Sequence, residues 1–189
     1  AMDKEVQTVL EKPVSGTYVC KRLGLEGKSH NEQEVTFDSM PFGQFDARQD
    51  KEFVELKSLT VAPSPDSDHL KGGLAVKLND ESVYVTPGYQ FGQSGTHTMD
   101  LENFLIDHIN IQKNTQDQSY WPTGWIITST DSVKLDVLSG LKKATKLGNS
   151  PKLYAKLKPN QTLIGVYGKI SGSKFDLESI GFIVKEEIA

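Results

Sequence analysis

Two carboxylates near the end of the chain, Asp176 and Glu178, have a spacing that could serve acid and base chemistry. On an extended strand, residues i and i+2 face the same side, with their backbones about 6.5 Å apart. A carboxylate pair at such a separation suits a retaining glycosidase. No other pattern in the chain marks a catalytic cleft, so we expect a non-enzymatic protein.

Other reactive residue types lack the neighbours that metal, phosphate or nucleophile chemistry needs. The four histidines show no paired spacing such as H-x-x-x-H, and the short stretch Asp66-Ser67-Asp68-His69 does not define a calcium or zinc site. The glycines between 165 and 181 have no following Gly-Lys-Ser/Thr, which argues against a phosphate loop. Cys20 has no histidine motif beside it. We therefore predict no metal and no cofactor.

Aromatic residues suggest a binding surface. Tyr120 and Trp121 follow a polar run, so we expect them in an exposed loop, where they are candidates for an interface with a sugar or a protein. Trp125 lies on an alternating strand and is expected in the core.

The elements that position these residues are predicted to be β-strands. From Pro13 onward, short runs of β-branched and aromatic residues alternate with Gly, Pro, Asn and Asp clusters, which is typical of an all-β domain. Eleven strands are predicted, at 17–23, 53–62, 74–78, 83–86, 96–101, 106–112, 124–130, 133–137, 153–157, 162–170 and 175–185.

Four regions depart from this pattern. Residues 1–12 have the spacing of a short helix, and the stretches 100–108 and 138–147 could each hold a helical turn. Residues 24–52 are polar with few apolar anchors, so we expect a long irregular arm wrapped on the domain. The predicted division is an N-terminal extension over 1–41 and a β-domain over 42–189.

Composition narrows the function classes. The chain has 189 residues, of which 37% are hydrophobic and 24% charged, which favours one folded domain. A formal net charge of -4 argues against nucleic acid as a partner. No apolar run approaches the length of a spanning helix and the first residues lack the pattern of a signal peptide, so no membrane insertion is expected. The single cysteine excludes an internal disulfide and is compatible with the cytoplasm, while the compartment stays unknown.

The C-terminal third resembles the end of the jacalin-like lectin domain. That family ends in a strand leading into Gly-Arg-Ser-Gly, a loop, an Asp and then Ala-Ile-Gly; here the corresponding stretch is Gly-Lys-Ile-Ser-Gly-Ser-Lys-Phe-Asp-Leu-Glu-Ser-Ile-Gly. Earlier segments of the family align in the same order with 53–61, 73–80, 96–109 and 124–131. The resemblance covers roughly residues 42–187 and implies a β-prism of three Greek-key sheets.

The resemblance also implies a carbohydrate site at one end of the prism. Family members bind mannose- or galactose-type glycans with a glycine-rich loop near the domain start and a G-x-x-x-D loop before the last strand. A carboxylate can accept hydrogen bonds from two neighbouring sugar hydroxyls while loop amides donate to sugar oxygens. The implied sugar-binding residues are Gly43, Gly172, Ser173, Lys174, Phe175 and Asp176, with Glu178 as the alternative carboxylate if the sequences are aligned on Ile-Gly.

Two hypotheses follow. The first is a lectin-like module that binds glycans or glycoproteins, multivalently or as part of a larger chain. The second is a protein-interaction or targeting domain with a degenerate sugar site, because the family's Gly-Gly pair is missing and two residues separate Asp176 from Ser179-Ile180-Gly181. If the first holds, Asp176→Ala or Glu178→Ala should abolish sugar binding while changing the melting temperature little.

Overall fold

The computed structural model describes residues 17–27, 34–63, 70–93, 95–113, 122–138, 153–172 and 175–188. Within these ranges the chain forms twelve β-strands and one 3₁₀ turn, Lys51–Phe53. The strands are β1 (Thr17–Gly27), β2 (Glu34–Asp38), β3 (Leu56–Pro63), β4 (Leu70–Leu78), β5 (Val83–Val85), β6 (His97–Asp100), β7 (Ile106–Lys113), β8 (Pro122–Ser129), β9 (Lys134–Leu138), β10 (Leu153–Lys156), β11 (Gln161–Ser171) and β12 (Leu177–Ile188).

The strands pair into three antiparallel sheets of four. The first sheet has the order β1-β12-β11-β2, the second β5-β4-β3-β6 and the third β10-β7-β8-β9. In the second and third sheets, three consecutive strands form hairpins and a fourth returns beside the first, which is the Greek-key order. The first sheet reaches the same order by combining the two N-terminal strands with the two C-terminal ones. The predicted three-sheet prism is confirmed.

The core lies where the inner faces of the three sheets meet. Trp125 of β8 packs edge-to-face on Phe182 of β12, with ring centroids 6.0 Å apart. Its indole N–H donates to the Met99 sulfur of β6 at 3.2 Å. Trp125 is fully buried, as predicted. These three side chains come from three different sheets. The apolar inner face of every sheet is therefore needed to form the core of the prism.

All eleven predicted strands are present, and a twelfth, β2, was missed. In β2 only Phe37 is fully buried, and Val35 and Thr36 are exposed. A short edge strand with one buried anchor gives little alternation in hydrophobicity, so the sequence pattern does not reveal it. The prediction of an irregular conformation over 24–52 is therefore wrong at 24–27, where β1 continues, and at 34–38.

The first sheet also begins earlier than the boundary predicted at residue 42. β1 pairs with β12 from Thr17 opposite Ile188, and β2 pairs with β11. Residues 17–27 and 34–38 thus contribute two of the four strands in the sheet that carries the G-x-x-x-D loop. Between 100 and 108 the chain makes a turn at residues 102–103 and no helix. The helix predicted over 1–12 and most of the turn predicted over 138–147 fall outside the described residues.

The segment from Ser39 to Phe53 covers the outer face of the first sheet. Met40 and Phe45 are fully buried there, and the Ser39 hydroxyl accepts a hydrogen bond from the Val166 amide at 2.9 Å. This segment buries the outer face of the sheet and the core buries the inner face. Ten consecutive residues of β12 are therefore buried. In the described parts of the chain, no helix is long and apolar enough to cross a membrane.

Candidate functional site

The G-x-x-x-D loop joins the two central strands of the first sheet. The Ser171 amide donates to the Asp176 carbonyl at 2.9 Å, and the Phe175 amide donates to the Ser171 carbonyl at 3.0 Å. Phe175 has a φ of +58°, a left-handed conformation that is uncommon for a bulky residue. The two hydrogen bonds close the loop and hold this conformation. Ser173 and Lys174, which complete the predicted motif, lie outside the described residues.

Phe175 uses its side chain to attach this loop to the second sheet. Its ring packs over Gly88, in the turn that follows β5, and a Cβ at Gly88 would lie 2.5 Å from the Phe175 Cγ. Phe175 also packs against the hydrophobic core and borders a small space beside Leu74, Ile170 and Leu177. This predicted sugar-binding side chain therefore packs in part against the protein itself.

Both candidate carboxylates are buried. Asp176 is 3% exposed and Glu178 is 0% exposed. The prediction that Asp176→Ala or Glu178→Ala changes the melting temperature little was based on exposed carboxylates. The burial of both corrects that premise, because a buried carboxylate depends on its surroundings for compensation. Glu178 lies within β12, which leaves Asp176, the last residue before β12, as the loop carboxylate. Their burial also removes the support for a glycosidase pair, which needs carboxyls that a scissile bond can reach.

Gly43 does not lie near this loop. β2 begins with Glu34 opposite Ser171, at the loop, and ends with Asp38 opposite Tyr167. The chain then continues in the same direction, since the Ser39 amide donates to the Val166 carbonyl. Gly43 follows in an exposed turn at the other end of the sheet. The pairing of Gly43 with the G-x-x-x-D loop is therefore wrong, because matching by motif ignored the strand direction that β2 imposes.

The structure instead brings the end of β1 and the start of β2 to the loop. Gly27 pairs with Ser179, and Glu34 pairs with Ser171, so the ends of both strands flank the base of the G-x-x-x-D loop. Residues 28–33, which connect them, lie outside the described residues. Predicting β2 from the sequence would have identified this connection.

We name the two ends of the prism by these elements. The loop end contains Gly172–Asp176 and the turn Pro87–Tyr89; the turn end contains the exposed turn 42–47 and the hairpin 79–82. The guanidinium of Arg48, which directly follows the exposed turn, contacts Asp80 of the hairpin at 3.0 Å and joins these elements. Hydrogen bonds from the Ser82 hydroxyl and amide and from Arg48 lower the pKa of Asp80 to about 2.

A charged and aromatic cluster crosses the outer face of the first sheet between these ends. The Arg22 guanidinium of β1 contacts the Asp38 carboxylate of β2 at 2.6 Å and lies 4.9 Å from the centre of the Tyr167 ring. The Tyr167 hydroxyl donates to the Gly24 carbonyl across β12, over Gly181, where a side chain would collide with the ring. Burial raises the pKa of Tyr167, and Asp38 adds to this while Arg22 opposes it. The cluster ties together all four strands of the sheet.

Sequence reasoning missed a cleft of about 580 Å³ at the turn end of the prism. Its lining includes residues from all three sheets, among them Leu56 of β3, Ile106 of β7, Lys156 of β10 and Leu163 of β11. No local motif marks such a cleft, because its walls are far apart in sequence.

The remaining predicted candidates do not join the loop end. Tyr120 and Trp121 lie outside the described residues. Cys20 is half-buried on β1, and burial raises the pKa of its thiol, which disfavours the reactive thiolate. In the described ranges, no group of three or more His, Cys, Asp or Glu residues could hold a metal ion.

Comparison with solved structures identifies this architecture. No family model matches the sequence, and no curated protein matches it either. A mannose-binding jacalin-related lectin from Ananas comosus superposes with a TM-score of 0.55 at 10% identity, over 87% of this chain and 96% of that one. The chain has the jacalin-like β-prism fold.

Two further structures extend this result. Single-chain recombinant jacalin has a TM-score of 0.55 at 13% identity, over 92% of this chain and 98% of that one. PirB has a TM-score of 0.57 at 10% identity, but the matching region covers 90% of this chain and 39% of PirB. The jacalin-like fold therefore occurs both as nearly a whole chain and as part of a longer one. The sequence-based resemblance to the jacalin-like lectin domain is confirmed at the level of the fold.

Proposed function

We propose that this chain is a non-enzymatic carbohydrate-binding module whose loop end, including Gly172–Asp176, binds mannose- or galactose-type glycans. The observation that carries this proposal is the closed loop between β11 and β12, with Asp176 at its base, in a jacalin-like prism. Backbone amides of such a loop can donate to sugar oxygens, and a carboxylate can accept from sugar hydroxyls. Ser173 and Lys174 belong to the same motif and stay predicted sugar contacts.

The burial of Asp176 limits how a sugar can contact its carboxylate. A carboxylate at the base of the loop is kept in one orientation by its neighbours, which lowers the entropy lost on binding. A sugar would reach this carboxylate only through the opening of the loop. We therefore expect a weak single site with a Kd on the order of millimolar. Useful affinity would then come from several linked copies or from a larger chain that carries several modules.

The test is a glycan array probed with the protein in a multivalent form. The expected result is binding to related mannose- or galactose-bearing glycans. Asp176→Asn should abolish this binding, whereas Asp80→Asn makes the same chemical change at the turn end and should leave it intact. Because Asp176 is buried, circular dichroism and the melting temperature of each variant show whether lost binding reflects lost folding. Binding that survives in a folded Asp176→Asn protein would contradict the site.

A second candidate function is a protein-interaction domain with a degenerate sugar site. The burial of Asp176 and Glu178 favours it, because both carboxylates that could contact a sugar have little accessible surface. A blank array with folded multivalent protein, followed by capture of a defined protein partner, would support this function and overturn the first.

A further inference from the structure

Exposed apolar side chains concentrate at the turn end of the prism. Of the seven large hydrophobic side chains that are exposed in the described residues, five belong to or border the turns at this end. They are Phe42, Phe53, Val83, Leu105 and Val133, with exposed fractions between 45% and 83%. Single exposed hydrophobic residues are ordinary on a protein surface, whereas a concentration of them at one end marks an interaction site.

The cleft of about 580 Å³ opens at the same end. Leu105 lines this cleft and is 71% exposed, while the buried side chains of Leu56, Leu157 and Leu163 line it from the core. A volume of this size is within the range of protein ligand pockets, about 300 to 1,000 Å³. The cleft can therefore accept an apolar side chain from a partner.

The backbone that carries Leu105 is held in place by hydrogen bonds to two other parts of the turn end. The Leu105 carbonyl accepts a hydrogen bond from the Thr130 amide at 2.9 Å. At the start of the same connection between β6 and β7, the Leu101 amide donates to the Lys57 carbonyl at 2.8 Å. Because the connection is fixed at both ends, a partner that binds there orders little additional backbone.

The exposed charges at the turn end are mainly negative. Six exposed carboxylates there form no ion pair within the described part of the chain; they are Asp46, Glu55, Asp100, Glu102, Asp131 and Glu187. Two exposed lysines at this end, Lys134 and Lys158, likewise form no ion pair with a described residue. Arg48, Lys57 and Lys156, by contrast, each contact a carboxylate. The surplus charge is negative, so a complementary partner carries lysine or arginine side chains.

We propose that the turn end is a docking surface for a basic segment of a partner protein that also carries apolar side chains. One apolar side chain of that segment enters the cleft beside Leu105, and its lysine or arginine side chains face the carboxylates at this end. The glycan proposal concerns the opposite end of the prism, so either proposal can hold without the other.

Three other occupants fit this surface less well. A small molecule would fill the cleft but leave the exposed apolar side chains outside it, such as Phe42 and Val133, in water. A second copy of the chain across a twofold axis would bring the same carboxylates toward each other, which costs free energy. The negatively charged surface of a membrane leaflet would repel these carboxylates as well.

The experiment selects peptides from a random library displayed on phage, with the immobilised protein as the target. The selected sequences should be enriched in lysine or arginine and in large apolar residues. A fluorescein-labelled synthetic peptide of the most enriched sequence is then titrated with wild type, Leu105→Ser and Phe91→Ser, and fluorescence polarisation gives each Kd. Phe91 is 74% exposed on the segment between β5 and β6 at the loop end, so Phe91→Ser is the matched control.

We expect Leu105→Ser to weaken peptide binding by at least about fivefold and Phe91→Ser by less than about twofold, the contrast between a central contact and a residue outside the interface. Changing Glu55 and Glu102 together to glutamine should weaken binding at low salt and have less effect at high salt, because salt screens exposed charges. The substituted side chains are all exposed, so the melting temperature of each variant should stay near that of wild type.

Three results would overturn the proposal. The first is a selection that yields no enriched peptides or yields acidic ones. The second is an equal Kd for Leu105→Ser and Phe91→Ser. The third is sedimentation of wild type, but not of Leu105→Ser, with phosphatidylcholine vesicles, which would show that the surface binds lipid instead of a polypeptide.

Discussion

The loop end and the turn end of the prism are held by different kinds of contact. At the loop end, the Phe175 ring fills a space that is open only because residue 88 is glycine. At the turn end, the buried Lys185 ammonium of β12 donates to the carbonyls of Lys51 and Glu52, each at 2.9 Å, and Arg48 links the exposed turn to the hairpin. Apolar packing in a fixed shape tolerates little change, whereas the ion pair between Arg48 and the exposed Asp80 can exchange partners with water. We therefore expect substitutions to cost more at the loop end.

Gly88 and Gly43 test this difference most directly. Both have a φ of +91°, so Ala introduces the same backbone strain at each, but a Cβ meets the Phe175 ring at Gly88 and open space at Gly43. We expect Gly88→Ala to lower the free energy of unfolding by about 3 kcal/mol and Gly43→Ala by about 1 kcal/mol. Urea denaturation measures both. Equal losses would show that Phe175 does not press on Gly88.

Phe175 and Phe42 form the second pair. Phe175 is half-buried against the core, so Phe175→Ala should cost about 2 kcal/mol, less than the loss of a fully buried ring. Phe42 is 83% exposed, so Phe42→Ala should change stability by less than about 0.5 kcal/mol. Thermal unfolding of the two variants provides the measurement, and a larger effect at Phe42 would reverse the comparison.

Lys185 tests the polar anchoring of the turn end. Lys185→Met removes the donor to two carbonyls and should cost about 1–2 kcal/mol near neutral pH. Burial lowers the pKa of Lys185, with nearby carboxylates opposing this. The folded protein therefore binds this proton less tightly than the unfolded chain does, and the unfolding free energy of wild type should rise relative to Lys185→Met as pH increases toward about 10.4.

Urea denaturation of both proteins across the alkaline range follows this difference. Lys185→Arg keeps a charge on the side chain but cannot lose its proton over the same range, so it separates the titration from the loss of the side chain. A difference between wild type and Lys185→Met that stays constant with pH would contradict the lowered pKa.

Apart from the two control positions, Gly43 and Phe42, Asp80 gives the smallest expected effect. Its pKa of about 2 lies below that of an unfolded chain, so its contribution to stability is present above about pH 4 and is lost as pH falls toward 2. Because the side chain is exposed, Asp80→Asn should cost less than about 1 kcal/mol at neutral pH. Comparing acid unfolding of wild type and Asp80→Asn measures this, and the two curves should converge near pH 2.

Much of the fold could be predicted because strand patterns are local. The alternation in β3 and β7 and the apolar run in β11 are visible in each segment separately, and the eleven strands predicted from such patterns are present. β2 could not be predicted in this way, since it has one buried anchor, Phe37. The site was harder, because the burial of Asp176 depends on neighbours from other strands.

The sequence by itself determined the all-β class, the position of most strands and the loop between β11 and β12, since each depends on residues within about ten positions of one another. Only the tertiary structure decided that β1 and β2 complete the first sheet, that Gly43 lies at the turn end, and that Phe175 packs over Gly88. These facts depend on which strands pair and in which direction. Pairing is a property of the whole core, because each sheet buries its inner face only against the other two.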